Sequence, residues 1–278
     1  MAVHLTPEGR RIHYDIAGSG PTIVITPGGR EGREVLAPLV AALSPRLRVV
    51  TWDRANTGQS DLLFDPSRSE QAIWAEDLIG LVEALELGPC VIAGGSAGCR
   101  VSLNAVLRRP KIARRLVLWC ASGGAYGSQF LGYIYHVPFI LAAQAGGMAA
   151  VAATPFFAAR IAANPSAREQ LLAIDADRFI TTMKAWNESF YPRPDVPLAG
   201  IEGDLATIGV PALIFEGNDD IHPPESSRAL AEALPAARLV PSPWSRTAFM
   251  DLLSGRTPGT VFDLYPGLAP EMLAFSEG

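Results

Sequence analysis

Residues 91–95 form an apolar run rich in branched and small side chains, and Gly94-Gly95-Ser96-Ala97-Gly98 closes it just as a helical pattern begins. No other stretch limits the fold as much. Gly-x-Ser-x-Gly between a strand and a helix calls for a sharp turn with Ser96 at its apex. Such a turn holds Ser96 at positive φ, and Gly94 and Gly98 let neighbouring backbone pass where a Cβ would clash. A glycine-rich connection without chemistry would show the same five residues; the strand before and the helix after give them meaning.

The chain around this turn alternates. Residues 11–16 form a hairpin with the segment near Leu5, across a Thr6-Pro7-Glu8-Gly9 turn. Residues 22–26, 47–52, 115–120 and 210–216 are short apolar runs between turn signals, as expected of strands buried on both faces of a parallel sheet. Helical patterns over 35–43, 70–87, 97–109 and 225–234 separate them, and a last helix is expected near 270–276. Strand–helix alternation predicts right-handed crossovers and a mostly parallel, twisted sheet flanked by helices.

Between about 123 and 209 the alternation stops. Alanine-rich and aromatic helical stretches (130–150, 152–163, 168–175, 179–190) fill this span, broken by Gly146-Gly147, Pro155, Pro165 and the prolines 192, 194 and 197. The expected organisation is a core domain of residues 1–122 and 210–278, with a helical cap over 123–209 whose inner face lines a pocket. Few charges fall between Gly123 and Ala159, so the pocket should take a small to medium, largely apolar molecule.

With 278 residues, 49% of them hydrophobic and 18% charged, the chain has material for a sizeable core. A net charge of −5 argues against a nucleic-acid partner, which needs a basic footprint. No uninterrupted apolar run reaches about 18 residues, so no membrane span is expected. Cys90, Cys99 and Cys120 follow no metal-ligand spacing. With no secretory pattern at the start, they fit a reducing cytoplasm.

These parts resemble the α/β-hydrolase family over nearly the whole chain apart from the cap. Gly94-Gly95-Ser96-Ala97-Gly98 is similar to its nucleophile elbow, and Pro27-Gly28-Gly29 lies where the family carries its first oxyanion-hole loop. The stretch from Asp53 to Asp61 is similar to the family's Asp-x-x-Gly-x-Gly-x-Ser loop. The resemblance implies acyl transfer with Ser96 as nucleophile, and with the backbone N–H groups of Gly29 and Ala97 as oxyanion donors. The turn Gly217-Asn218-Asp219-Asp220 matches the acid's position at Asp220, with Asp219 one residue of register away. No metal or organic cofactor is implied.

One part departs from the family. Its base is a histidine in the loop after the last strand, but here that loop reads Pro241-Ser242-Pro243-Trp244-Ser245-Arg246, and no histidine follows His222. Three readings follow. The base has moved, to His222 on the loop after Asp220 or to His136 in the cap. Alternatively, the site runs a lyase- or decarboxylase-like reaction on the oxyanion hole alone. In the third reading the chain is a non-catalytic small-molecule receptor. The first is the working expectation, a hydrolase of apolar esters, amides or C–C-linked carbonyl compounds with Ser96, Asp220 and His222. His136, Trp244, Trp52 and Arg30 are the candidate pocket residues.

Overall fold

The computed structural model describes residues 2–191 and 198–277; the prolines at 192, 194 and 197 lie outside the described residues. Its strands are β1 (Ala2–Leu5), β2 (Arg11–Ala17), β3 (Thr22–Thr26), β4 (Arg48–Trp52), β5 (Cys90–Gly95), β6 (Ala113–Trp119), β7 (Ala212–Phe215) and β8 (Ala237–Val240). They make one sheet in the order β1-β2-β4-β3-β5-β6-β7-β8, parallel from β4 to β8, with the β1–β2 hairpin antiparallel at one edge.

Alternation along the strands builds two cores. Val24, Val50, Ile92, Leu116 and Ile214 point to one face, against α2 (Glu70–Ala84) and α3 (Ala97–Arg108). Their neighbours Ile23, Val49, Val91, Val117 and Leu213 point to the other, under α1 (Ala37–Leu43) and a 3-10 stretch at Val261–Leu268. Each central strand therefore presents apolar side chains to both faces, which is why these runs read as buried strands.

Among the described residues, four α-helices lie between β6 and β7: α4 (Gly124–Ala152), α5 (Pro155–Ala163), α6 (Ser166–Leu172) and α7 (Ala176–Glu188). α4 starts six residues before its expected beginning at 130 and is interrupted at Gly146 and Gly147, whose backbone is not helical. The stretch Gly124–Ala163 is long and apolar enough, by length and mean hydropathy alone, to cross a membrane, although polar residues interrupt its apolar runs. In the fold it is kinked, and α4 buries Leu131, His136, Phe139 and Ile140 and packs on α7.

Three helices complete the chain: α8 (Pro224–Ala233), α9 (Arg246–Leu253) and α10 (Ala269–Glu277). The sequence pattern shows no sign of α9. It spans eight residues, with the Ser245 hydroxyl accepting from the Ala248 N–H at its start. Two turns are too short for periodicity to stand out.

Candidate active site

Parallel strands carry their outgoing loops to one edge of the sheet, and sites in open α/β sheets form outside those carboxyl ends. The loops after β3, β5 and β7 meet there.

Ser96 leaves β5 at φ 51°, ψ −112° and is the residue before α3. A serine in this region costs about 1–3 kcal/mol and persists only where its surroundings fix it. Here its N–H donates to the Trp119 carbonyl (3.0 Å) and its carbonyl accepts from the Cys99 N–H (2.9 Å). A Cβ on Gly98 would sit 2.4 Å from the Thr26 carbonyl oxygen, so α3 can begin this close to β3 only with glycine there.

The loop after β7 supplies the partners. The Nε2 atom of His222 is 3.1 Å from Ser96 Oγ, and His222 Nδ1 is 2.8 Å from Asp219 Oδ2. A carboxylate only accepts, so Nδ1–H donates to Asp219 and Nε2 is left to accept the serine proton. The Oδ1 atom of Asp219 accepts from the backbone N–H groups of Ile221 (2.8 Å) and His222 (3.0 Å), so one side chain both shapes the loop and orients the imidazole. Burial acts to raise the Asp219 carboxyl. The hydrogen bond and charge of His222, with the two backbone N–H groups, outweigh it and hold the group below its usual range. A Cβ on Gly217 would lie 2.1 Å from the His222 carbonyl oxygen, so the loop can fold back on itself only over a glycine.

The carboxylate against His222 therefore belongs to Asp219 and not, as expected, to Asp220. The Asp220 side chain turns to solvent and pairs with Arg246 at 2.8 Å. An Asp-x-x-His spacing lets the aspartate bond the histidine's ring and its backbone together. Both carboxylates of the turn stand one residue of register apart in the sequence, and only the loop's fold selects Asp219.

The second candidate base, His136, stays away from Ser96. It is fully buried within α4 beside Tyr135 and Phe190, with Nδ1 2.9 Å from the Gly132 carbonyl. Burial, reinforced by the Arg30 charge, pushes it down to about 3. Trp52 is likewise not a pocket residue. It is core, with its indole N–H on Thr26 Oγ1 at 3.0 Å. Trp244 stacks on Phe249 and Tyr265, a layer behind the cavity wall. Arg30 lines a neighbouring cavity beyond Tyr135.

Ser96 and His222 open into a cavity of about 420 Å³. The helical insertion contributes Phe130, Leu131, Ile134 and Tyr135; α9 and the segment after it contribute Phe249, Leu253 and Phe262. The wall is mainly apolar. Gly29, at φ 51°, borders the same cavity. Ala97, the first residue of α3, has one of the N–H groups that no helix can satisfy internally. Ala97 thus follows Ser96 directly at the start of α3, and Gly29 lines the cavity into which Ser96 opens. Among the described residues no cluster of three or more His, Cys, Asp or Glu side chains could hold a metal ion.

Fold and site together define a class: a doubly flanked, mostly parallel α/β sheet with a serine–histidine–aspartate chain of hydrogen bonds at its carboxyl edge and helices inserted above it. A family model described as the alpha/beta hydrolase family matches residues 23–264, and the chain belongs to that family. Among curated proteins, one from Azorhizobium caulinodans provisionally named carbamate hydrolase RutD is 28% identical over 94% of this chain and 96% of its own. A protein of the same name from Caulobacter sp. is 29% identical over 86% and 88%. Among solved structures, the enol-lactonase of Burkholderia xenovorans LB400 is similar over 100% of both chains, with a TM-score of 0.62 and 21% identity. An esterase from Exiguobacterium antarcticum covers 99% of both, with a TM-score of 0.65 and 16% identity.

Proposed function

We propose that this chain is a serine hydrolase that cleaves the acyl C–O or C–N bond of an ester, amide or carbamate, with Ser96 as nucleophile and His222 as base. The observation that carries the reading is the relay of 3.1 Å from Ser96 Oγ to His222 Nε2 and 2.8 Å from His222 Nδ1 to Asp219. A serine hydroxyl is a weak nucleophile until a base stands within hydrogen-bond reach, and this one has such a base. His222 Nε2 takes the proton as Oγ attacks the carbonyl carbon, and returns it to the leaving oxygen or nitrogen. Water then repeats the cycle on the acyl-enzyme. The imidazolium formed at each step faces Asp219.

The Gly29 and Ala97 N–H groups stabilise the oxyanion. A single such donor is worth about 3–4 kcal/mol in well-studied cases. The helical insertion serves as the cap, placing Phe130, Leu131 and Ile134 over the reacting carbon, so the body of the substrate is apolar. The relatives named as carbamate hydrolases are consistent with an acyl carbon that bears nitrogen as well as oxygen.

Labelling with a fluorophosphonate probe tests this. The wild type should label, Ser96→Ala should not, and His222→Ala should label slower by several orders of magnitude, whereas His136→Ala should keep a near-normal rate. Absence of wild-type labelling would defeat the reading. Tight binding of a small molecule would then favour a receptor, and turnover of a carbonyl compound a lyase.

A further inference from the structure

Beyond Tyr135, the cavity at Ser96 adjoins a second one of about 550 Å³; Gly29, Glu31, Ile134 and Tyr135 line both. The second has a different character. Arg30 and Arg160, 8% and 5% exposed, lie in its wall. The exposed Glu31 and Glu34 stand at its rim.

Both guanidiniums have spare donors. Arg30 spends one N–H on Glu70 at 2.8 Å, and its Cζ lies 5.4 and 5.9 Å from the ring centroids of Tyr135 and Phe156. Among the described residues its Nε and Nη1 have no partner. Arg160 gives one N–H to the Ser60 carbonyl, and its Nε and Nη1 are likewise unmatched among the described residues. The buried carboxylates that act on Arg160, Asp53 and Asp61, are already held by Arg33 and Arg11. Nearby, Arg54 is also buried and donates to the carbonyls of Gly28 and Glu31.

Buried donors left unmatched are costly, and more so when charged. A guanidinium fork matches a carboxylate in two parallel bonds. No apolar substrate would use these groups.

We infer that the second cavity is a carboxylate subsite, and that the substrate is an ester or amide whose acyl chain is apolar beside Ser96 and ends in a carboxylate between Arg30 and Arg160. The inference rests on Ser96 hydrolysis for its chemistry, while the subsite itself can be tested without it. Arg160 is the residue to change, because Arg30 also neutralises the buried Glu70.

The test compares p-nitrophenyl monoesters of linear four- to seven-carbon dicarboxylic acids with p-nitrophenyl esters of monocarboxylic acids of equal length. At one length or more, wild-type kcat/KM should favour the acidic ester at least tenfold. Arg160→Gln should bring that ratio near one. Arg160→Lys, which keeps the charge but not the fork, should fall between. No preference at any length, or a preference that survives Arg160→Gln, overturns the subsite while leaving the hydrolase reading intact. If neither ester series turns over, the hydrolase reading fails, and calorimetric titration of adipate into Ser96→Ala decides the subsite. Binding that Arg160→Gln abolishes supports it, and no binding, or binding that the substitution leaves in place, overturns it.

Discussion

Asp219 and Asp220 are neighbours of identical chemistry with opposite environments. Asp219 is buried and accepts from the ring and backbone of His222, whereas Asp220 faces water and Arg246. Replacing Asp219 with Asn removes the acceptor that fixes the imidazole tautomer, so turnover of p-nitrophenyl acetate should fall by about 10⁴. Replacing Asp220 with Asn loses one exposed ion pair, worth at most about 1 kcal/mol, and should change turnover by no more than about twofold. Equal losses in the two variants would mean that the relay runs otherwise. Ser96 was legible because the glycines, the preceding strand and the following helix are all local in the chain. The choice of Asp219 was not, because both registers of the turn satisfy the same local pattern.

At the scale of elements, α4 carries a titratable group inside its apolar face. His136 is neutral in the fold down to about pH 3, against its ordinary 6.5. As pH falls below 6.5 the unfolded chain takes up a proton that the native chain refuses. Stability present above that pH is therefore lost progressively between 6.5 and 3. From pH 7 to pH 5 the loss amounts to about 2 kcal/mol. In His136→Phe the drop in melting temperature between those two pH values should shrink accordingly; an unchanged drop would exclude His136 as its source. The central strands were readable from sequence as apolar runs between turns. The insertion helices were readable as helices, and so was the break at Gly146-Gly147, but α4 starts six residues earlier than its pattern suggests. α9 carried too few turns to be seen, yet it presents Phe249 to the ring edge of His222.

For the molecule as a whole, aromatic packing ties the helical insertion to the sheet-bearing part. Phe64, before α2, has its ring centroid 5.0 Å from that of Phe179, 5.5 Å from Trp186 and 6.4 Å from Phe157. Phe157 also meets Phe139 and Phe156 at 5.1 and 5.0 Å, and is fully buried. Phe157→Ala should lower the unfolding free energy by about 3–5 kcal/mol in a urea titration, since the aromatic cluster around it cannot close over the void. A loss below about 1 kcal/mol would show that the insertion is held elsewhere.

Local order was decided by the amino-acid sequence alone: which runs are strands, where Ser96 sits, and that helices interrupt the alternation between β6 and β7. Those features depend on side-chain period and turn chemistry within a dozen residues. Tertiary structure decided which carboxylate meets His222, that His222 rather than His136 reaches Ser96 across 126 positions of chain, and that buried arginines gather beside an apolar cavity. Contacts of that kind depend on how distant loops pack at one edge of the sheet, and no local pattern encodes that packing.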